Sequence, residues 1–133
     1  MSAPVQKSDE QWREELSPEE YAVLRQAATE RPWTGPLLDE KRTGVYRCRA
    51  CGAELFRSDT KFDLYCGWPL FYDPTNNNAM TLSEDRTFGM VRTEVRCANC
   101  NSHLGHLFDD APQTPTGDRY CMNSISLTFE PAE

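Results

Sequence analysis

The sequence predicts a small α+β protein that is mainly β, with its helices near the N-terminus. The first forty residues carry two helix-start signals. From residue 44 onward, short segments of alternating apolar and polar residues are separated by turn-forming runs such as "DPTNNN" and "DDAPQTPTGD". A length of 133 residues suits one domain with one core. We therefore expect a helical arm over residues 1–40 and a β body over residues 41–133, within a single domain.

Individual helices and strands can be placed along the chain. Residues 8–11 match a capping box, and in "SPEEYAVLRQAATE" Ser17 is the expected N-cap, with Pro18 and Glu20 at the first and third helical positions. Pro32 is expected to end this second helix. Downstream, "GVYRC", "AELFRS" and "MVRTEVRC" have strand character, and a last strand is expected from Ser124 onward, in "SISLTF".

Charge and hydropathy argue against several classes of protein. The net charge of −7 disfavours binding to a phosphate backbone, and no apolar run approaches the length of a membrane span. The N-terminal "MSAPVQKSDEQWREE" lacks the apolar segment of a secretion signal. We therefore expect a cytoplasmic protein with no nucleic-acid or membrane partner. Its six cysteines are then expected to be reduced, although three disulfides are the alternative.

Four cysteines form two CxxC pairs, Cys48 with Cys51 and Cys97 with Cys100. Each pair can present two thiolates to one ion through a tight turn. The residue after each pair is Gly or Asn, which tolerate the left-handed backbone that such a turn often needs. The pattern predicts one structural zinc ion per chain, in a closed tetrahedral site whose ligands are the four thiolates. Redox chemistry is the alternative, but neither pair opens a helix in a βαβ setting.

The other two cysteines, Cys66 in "FDLYCGWPLF" and Cys121 in "RYCMN", have no partner nearby in sequence. One interpretation is that both are buried and behave as small hydrophobic residues. The neighbours of Cys121 favour a reactive thiol instead. Arg119 and Asn123 lie two positions to either side, so in an extended segment the three side chains share a face, and a guanidinium favours the thiolate form.

Three further residues are candidates for the site. His103 and His106, in "SHLGHLFDD", are the only histidines of the chain. Imidazole changes charge near neutral pH, which suits acid–base work; metal ligation and a surface pair without function are the alternatives. Trp68, in "CGWP", is either core packing or an apolar wall for a methyl group next to sulfur.

Together these motifs resemble one family. "GVYRCRACGAELF", "CGWP", "RTEVRCANCNSHLGHLF" and "RYCMNSISL" are similar to motifs of the B class of methionine sulfoxide reductases, and the similarity covers residues 21–129, including the linker "TERPWTG". The resemblance implies two antiparallel sheets that are cross-linked by the zinc site, with N-terminal helices packed against them. It implies reduction of the R epimer of methionine sulfoxide, mainly in oxidised proteins or peptides, with recycling by a thioredoxin-like reductant. A monomer is expected.

The resemblance also implies roles for individual residues. Cys121 matches the catalytic cysteine, which attacks the sulfoxide and becomes a sulfenic acid, and Cys66 matches the resolving cysteine, which then forms a disulfide with it. The other matches are the active-site histidines His103 and His106, the supporting polar residues Asp110, Arg119 and Asn123, the substrate-pocket residues Trp68 and Phe108, and the zinc ligands Cys48, Cys51, Cys97 and Cys100.

Three positions depart from the family pattern. Leu64 and Tyr65 precede the resolving cysteine where the family usually has small or polar residues, and Leu70 replaces a serine. Two competing classes remain. A non-enzymatic zinc-ribbon module fits the four paired cysteines but leaves "RYCMN" and "HLGH" unexplained, and a disulfide-rich secreted domain would contain no zinc.

Overall fold

The computed structural model describes residues 6–62, 67–76, 78–86 and 89–132. Its helices and strands are α1 (Asp9–Glu15), α2 (Pro18–Gln26), β1 (Gly44–Cys48), β2 (Glu54–Arg57), β3 (Lys61–Phe62), β4 (Leu70–Phe71), β5 (Met80–Asp85), β6 (Arg92–Cys97), β7 (His103–Phe108), β8 (Arg119–Met122) and β9 (Leu127–Pro131). The strands form a three-stranded sheet in the order β2-β1-β9 and a six-stranded sheet in the order β3-β4-β8-β7-β6-β5. All the pairings are antiparallel. The predicted fold class is confirmed.

Both helices begin with the capping boxes expected from the sequence, in which Ser8 and Ser17 accept the N–H of the residue three positions later. The prediction that Pro32 ends α2 is wrong. The helix ends at Gln26, because Ala27 adopts the left-handed conformation, with φ of 57°, that closes a helix. Neither of these two described helices is long and apolar enough to cross a membrane.

The core lies where the two sheets and the helices meet. Phe56 of β2 stacks on Phe71 of β4 with ring centroids 4.2 Å apart, and Tyr46 of β1 packs edge-on against the same ring at 4.9 Å. Trp12 of α1 and Leu24 of α2 belong to the same buried cluster. Burial of each such side chain contributes about 1.5–3 kcal/mol, so the helical arm is anchored to the β body.

The chain passes from the six-stranded sheet to the three-stranded sheet at Ser124–Ser126. The predicted strand is wrong over these three residues, which form a 3-10 turn, and β9 begins only at Leu127. The reason is that Ser124 and Ser126 are fully buried and need hydrogen-bond partners. Ser126 Oγ donates to the carbonyl of His103 at 2.9 Å. An extended strand would not place the hydroxyl in the same position for this hydrogen bond.

Candidate metal centre and active site

The two CxxC pairs form matching turns at the ends of two strands. Cys48 closes β1 and Cys97 closes β6. The carbonyl of each accepts the N–H of the residue four positions later, Gly52 or Asn101, at 2.8 Å. Gly52 has φ of 81° and Asn101 has φ of 63°, so the expected left-handed positions are present. The turns connect β1 to β2 in one sheet and β6 to β7 in the other, so the four cysteines join the two sheets.

The four thiols have the spacing of a tetrahedral metal site. Their Sγ atoms lie within 4.8 Å of one another. The Sγ–Sγ distance is 3.7 Å between Cys48 and Cys100 and 3.6 Å between Cys51 and Cys97. Zn–S bonds of about 2.3 Å in a tetrahedron place the sulfur atoms about 3.8 Å apart. The cluster could therefore hold a metal ion, and its geometry and donor type fit zinc.

Close packing makes these thiols share protons unequally. The hydrogen bond with Cys100 lowers the pKa of Cys51, and the hydrogen bond with Cys48 lowers the pKa of Cys100 to about 7. The hydrogen bond with Cys100 raises the pKa of both Cys48 and Cys97. A divalent cation removes this competition, because all four groups can then bind as thiolates.

Cys121 lies inside β8, on the wall of a cavity of about 260 Å³. Arg119 of the same strand and Asn123 just beyond its end line the same cavity, as alternate positions of an extended segment should. The other lining residues among those described are Thr29, Trp68, Arg92, Gly105, His106 and Phe108. The structure therefore gathers Cys121, Arg119, Asn123, Trp68, His106 and Phe108, all of which the sequence predicted for the site, around one cavity.

His106 of β7 is the direct cross-strand partner of Cys121 of β8. Side chains of such pairs stand on the same face, with Cβ atoms about 4.5–5.5 Å apart. Gly105 permits this close pairing, because a Cβ added there would lie 2.1 Å from the carbonyl oxygen of Cys121. The imidazole and the thiol are therefore held beside each other by the sheet itself.

The two histidines have different surroundings. His106 lines the cavity, and its Nε2 lies 2.8 Å from the carboxylate of Asp85, which also lies 3.4 Å from Arg92. His103 does not line the cavity and is 1% exposed, with its Nδ1 2.7 Å from Glu94. Burial lowers the pKa of His103, although the hydrogen bond with Glu94 opposes this shift. The neutral form of His103 is therefore favoured over the imidazolium form.

Arg119 is fixed by two neighbours. Its Nε and Nη2 donate to the two carboxylate oxygens of Asp110 at 2.8 and 3.0 Å, and its guanidinium carbon lies 4.3 Å from the ring centroid of Phe108. The hydrogen bond from Arg119 lowers the pKa of Asp110. Asp110 does not itself line the cavity, so any influence it has there passes through Arg119.

Trp68 and Asn123 are both tied to the N-terminal arm at Glu30. The indole Nε1–H of Trp68 donates to the Glu30 carbonyl at 3.1 Å. The side-chain carbonyl of Asn123 accepts the Glu30 N–H at 3.0 Å. One residue of the arm therefore contacts two walls of the cavity.

Several residues at or beside the cavity were not predicted from the sequence. Thr29 and Glu30 lie in the linker "TERPWTG", where the family resemblance was the only signal. Arg92 lines the cavity and Glu94 binds His103, and both lie in "MVRTEVRC", which was predicted to be a strand but was given no function. Asp85 had no local signal, because its contact with His106 is made across the sheet.

The predicted resolving cysteine, Cys66, lies outside the described residues, as do Leu64 and Tyr65. Leu70, the third departure from the family pattern, is buried on β4 and is the cross-strand partner of Cys121 on the side away from β7. Cys121 therefore stands between an imidazole on one neighbouring strand and an apolar side chain on the other.

Comparisons with known proteins agree with one another. A family model described as the SelR domain matches residues 16–131. A protein of Leifsonia xyli subsp. xyli, named peptide methionine sulfoxide reductase MsrB, is 67% identical over 129 residues, which cover 97% of this chain and 93% of the relative. Proteins with the same name from Agrobacterium fabrum (56% identity, 98% and 96% coverage) and Thiobacillus denitrificans (55% identity, complete coverage of both) are also similar.

Among solved structures, the crystal structure of the Mis18 "Yippee-like" domain is similar in fold alone. It superposes with a TM-score of 0.55 at 17% sequence identity, over 69% of this chain and 99% of that one. A large part of this fold therefore also occurs in that chain.

Proposed function

This chain belongs to the SelR family, the B class of methionine sulfoxide reductases, and is a peptide methionine sulfoxide reductase, and we propose that it reduces the R epimer through a sulfenic acid on Cys121. The observation that carries the proposal is the pairing of Cys121 with His106 on adjacent strands, in a cavity walled by Trp68. A zinc-ribbon binding module would need none of these features.

The first step requires a nucleophile and a proton donor in one cavity. A sulfoxide sulfur is electrophilic, but its oxygen leaves only when protonated. The Cys121 thiolate attacks this sulfur, and His106 gives a proton to the oxygen. The bond between the two sulfur atoms then breaks as the hydroxyl group moves from the substrate sulfur to Cys121, so methionine is released and Cys121 becomes a sulfenic acid. Sulfur of the substrate is reduced by two electrons, and Cys121 is oxidised by two.

His106 is a better candidate than His103 for the proton donor. His106 lines the cavity beside Cys121 and is oriented by Asp85. His103 is buried away from the cavity, and its pKa is lowered by burial, which disfavours the imidazolium form. We assign His103 a supporting role, holding Glu94 and packing beside His106, whose ring centroid is 5.5 Å away.

The other cavity residues suit binding and charge stabilisation. Arg119, aligned by Asp110, provides positive charge for the thiolate, and Asn123 provides an amide on the same wall. The faces of Trp68 and Phe108 provide apolar walls for the S-methyl group. Their placement relative to Cys121 would determine which epimer presents its oxygen to His106.

Recycling requires a second thiol. Cys66 attacks the sulfenic acid, which forms a disulfide with Cys121 and releases water, and a thioredoxin-like dithiol then reduces this disulfide by exchange. Disulfide formation needs the two Cα atoms within about 7 Å at that stage. Oxidised proteins and peptides are the proposed substrates, so the enzyme repairs oxidative damage.

The metal ion has a structural role in this proposal. Cys48, Cys51, Cys97 and Cys100 would hold one zinc ion, which supplies cross-linking between the sheets and no chemistry at Cys121. We also propose a cytoplasmic monomer, with residues 1–40 as an arm of the same domain as residues 41–133. Packing of Trp12 and Leu24 in the common core supports the last point.

The test is an assay on separated R and S epimers of a methionine sulfoxide peptide, with thioredoxin or dithiothreitol as the reductant. Wild type is expected to reduce only the R epimer, and Cys121→Ser is expected to be inactive. Cys66→Ser is expected to complete one turnover but to stall with thioredoxin. Substantial turnover by Cys121→Ser would exclude it as nucleophile, and unchanged steady-state rates for Cys66→Ser would show that another thiol resolves the sulfenic acid.

A further inference from the structure

We propose that Glu30 is a positioning residue of the active site, which holds Trp68 and Asn123 in their working orientations. The proposal rests on the roles proposed above for those two residues. Glu30 belongs neither to a helix nor to a strand, yet it is only 7% exposed. Burial of a carboxylate to this depth is costly unless hydrogen bonds compensate for its lost hydration, and Glu30 makes such a bond with the N–H of Ile125.

The backbone of Glu30 connects the two walls. Its carbonyl accepts the indole N–H of Trp68 at 3.1 Å, and its own N–H donates to Oδ1 of Asn123 at 3.0 Å. The indole can therefore rotate only by giving up a hydrogen bond. A shift of this one residue would move the apolar wall and the polar wall of the cavity together.

The contacts of Asn123 also determine which way its amide points. Oδ1 accepts from Glu30, while Nδ2 donates to the carbonyl of Leu104 at 3.2 Å. A flipped amide would set an NH2 group against the Glu30 N–H and an oxygen against the Leu104 carbonyl, losing both bonds. Asn123 lines the cavity together with Cys121, so we expect its second Nδ2–H to serve as a donor to a thiolate or a sulfoxide oxygen there.

The side chain of Glu30 anchors the linker that makes these contacts. Its Oε1 accepts the N–H of Ile125, two residues beyond Asn123, at 3.0 Å. Gly35 leaves room for the carboxylate, because a Cβ added there would lie 2.5 Å from Oε2. The carboxylate therefore binds the turn at Ser124–Ser126. The residue just before this turn is Asn123, which is oriented by the backbone of Glu30.

The test compares Glu30→Gln with Glu30→Ala. The glutamine carbonyl can still accept the Ile125 N–H, so we expect kcat/KM within about threefold of wild type. Alanine removes the anchor, and displacement of the walls is expected to lower kcat/KM roughly tenfold to a hundredfold. The loss should appear as a raised KM and a reduced preference for one epimer, which destabilisation alone would not produce.

Leu16→Ala is the matched control, because Leu16 is a buried residue of the arm that does not line the cavity. It should lower Tm while leaving KM and the epimer ratio unchanged. Should the alanine variant not fold, Glu30→Asp replaces it, since its carboxylate falls one methylene short of Ile125. The proposal is overturned if Glu30→Ala, or Glu30→Asp used in its place, keeps the wild-type KM and epimer ratio. It is also overturned if Glu30→Gln is as impaired as that variant. Failure of the proposed function would instead appear in the wild type and Cys121→Ser assays.

Discussion

His106 and Cys121 face each other across β7 and β8, in the same cavity, while His103 lies three residues away in the protein interior. The sheet pairing, rather than a flexible loop, determines the distance between the imidazole and the thiol. A proton donor placed in this way needs little reorganisation before the reaction.

Replacing the two histidines separately should therefore give different results. His106→Gln is expected to lower the single-turnover rate of methionine release by roughly a hundredfold or more, because the oxygen then leaves without a positioned donor. His103→Gln should keep that rate within about tenfold of wild type. It should instead lower Tm, since a buried hydrogen bond to Glu94 is altered. Rapid-quench measurement of released methionine checks both variants, and the opposite order of rates would assign the donor to His103.

The pair formed by Arg119 and Asp110 leads to a second prediction. Lys cannot reproduce the two parallel hydrogen bonds or the stacking on Phe108, so Arg119→Lys should lower kcat/KM by roughly tenfold or more. Asp110→Asn should have a smaller effect in the same direction, because the guanidinium remains but is less well aligned. Steady-state kinetics on the R epimer check this. If Asp110→Asn is the more damaging change, the carboxylate acts on substrate directly.

Metal removal should test the cysteine cluster. Cys97→Ser is expected to abolish bound zinc and to lower Tm by more than about 10 °C, since loss of one ligand opens a site that joins both sheets. Cys121→Ser is the control, and it should retain one zinc per chain and a wild-type Tm. Metal analysis and thermal unfolding give the readouts. A Cys97→Ser protein with wild-type Tm would show that the fold does not depend on the metal.

The ionisation of Glu30 predicts a pH-dependent stability difference. Burial raises the pKa of Glu30, although hydrogen bonds from the backbone of Ile125 and Ser124 oppose this. The folded state therefore holds the proton more tightly than the unfolded state, whose value is about 4.3. Its contribution to stability is fully present below that value and is lost as pH rises through the folded pKa.

Glu30→Gln lacks this titration, so its unfolding free energy should increase relative to that of wild type as pH rises from about 4 to 8. Urea unfolding of both proteins at several pH values measures the difference, in which the titrations shared by the two proteins cancel. A difference that stays constant over this range, or that shrinks, would mean that the pKa of Glu30 is not raised on folding.

Local signals in the sequence were sufficient for much of the architecture. The capping boxes at Ser8 and Ser17, the left-handed turns at Gly52 and Asn101, and the strands that end in Cys48 and Cys97 all occur as predicted. Each depends on residues only a few positions apart. The end of α2 and the turn at Ser124–Ser126 were predicted wrongly, because the first is closed by a left-handed Ala27 and the second is stabilised by partners distant in sequence.

The amino-acid sequence was enough to identify the family, the paired thiols and the residues around Cys121, because motifs of this length and order are specific. Only the tertiary structure distinguished His106 from His103, and only it connected Asp85 to the first and Glu30 to Trp68 and Asn123. These relationships arise from cross-strand register and from hydrogen bonds between segments as many as 93 residues apart. Such contacts leave no periodic pattern in the chain, so they become visible only when the sheets have formed.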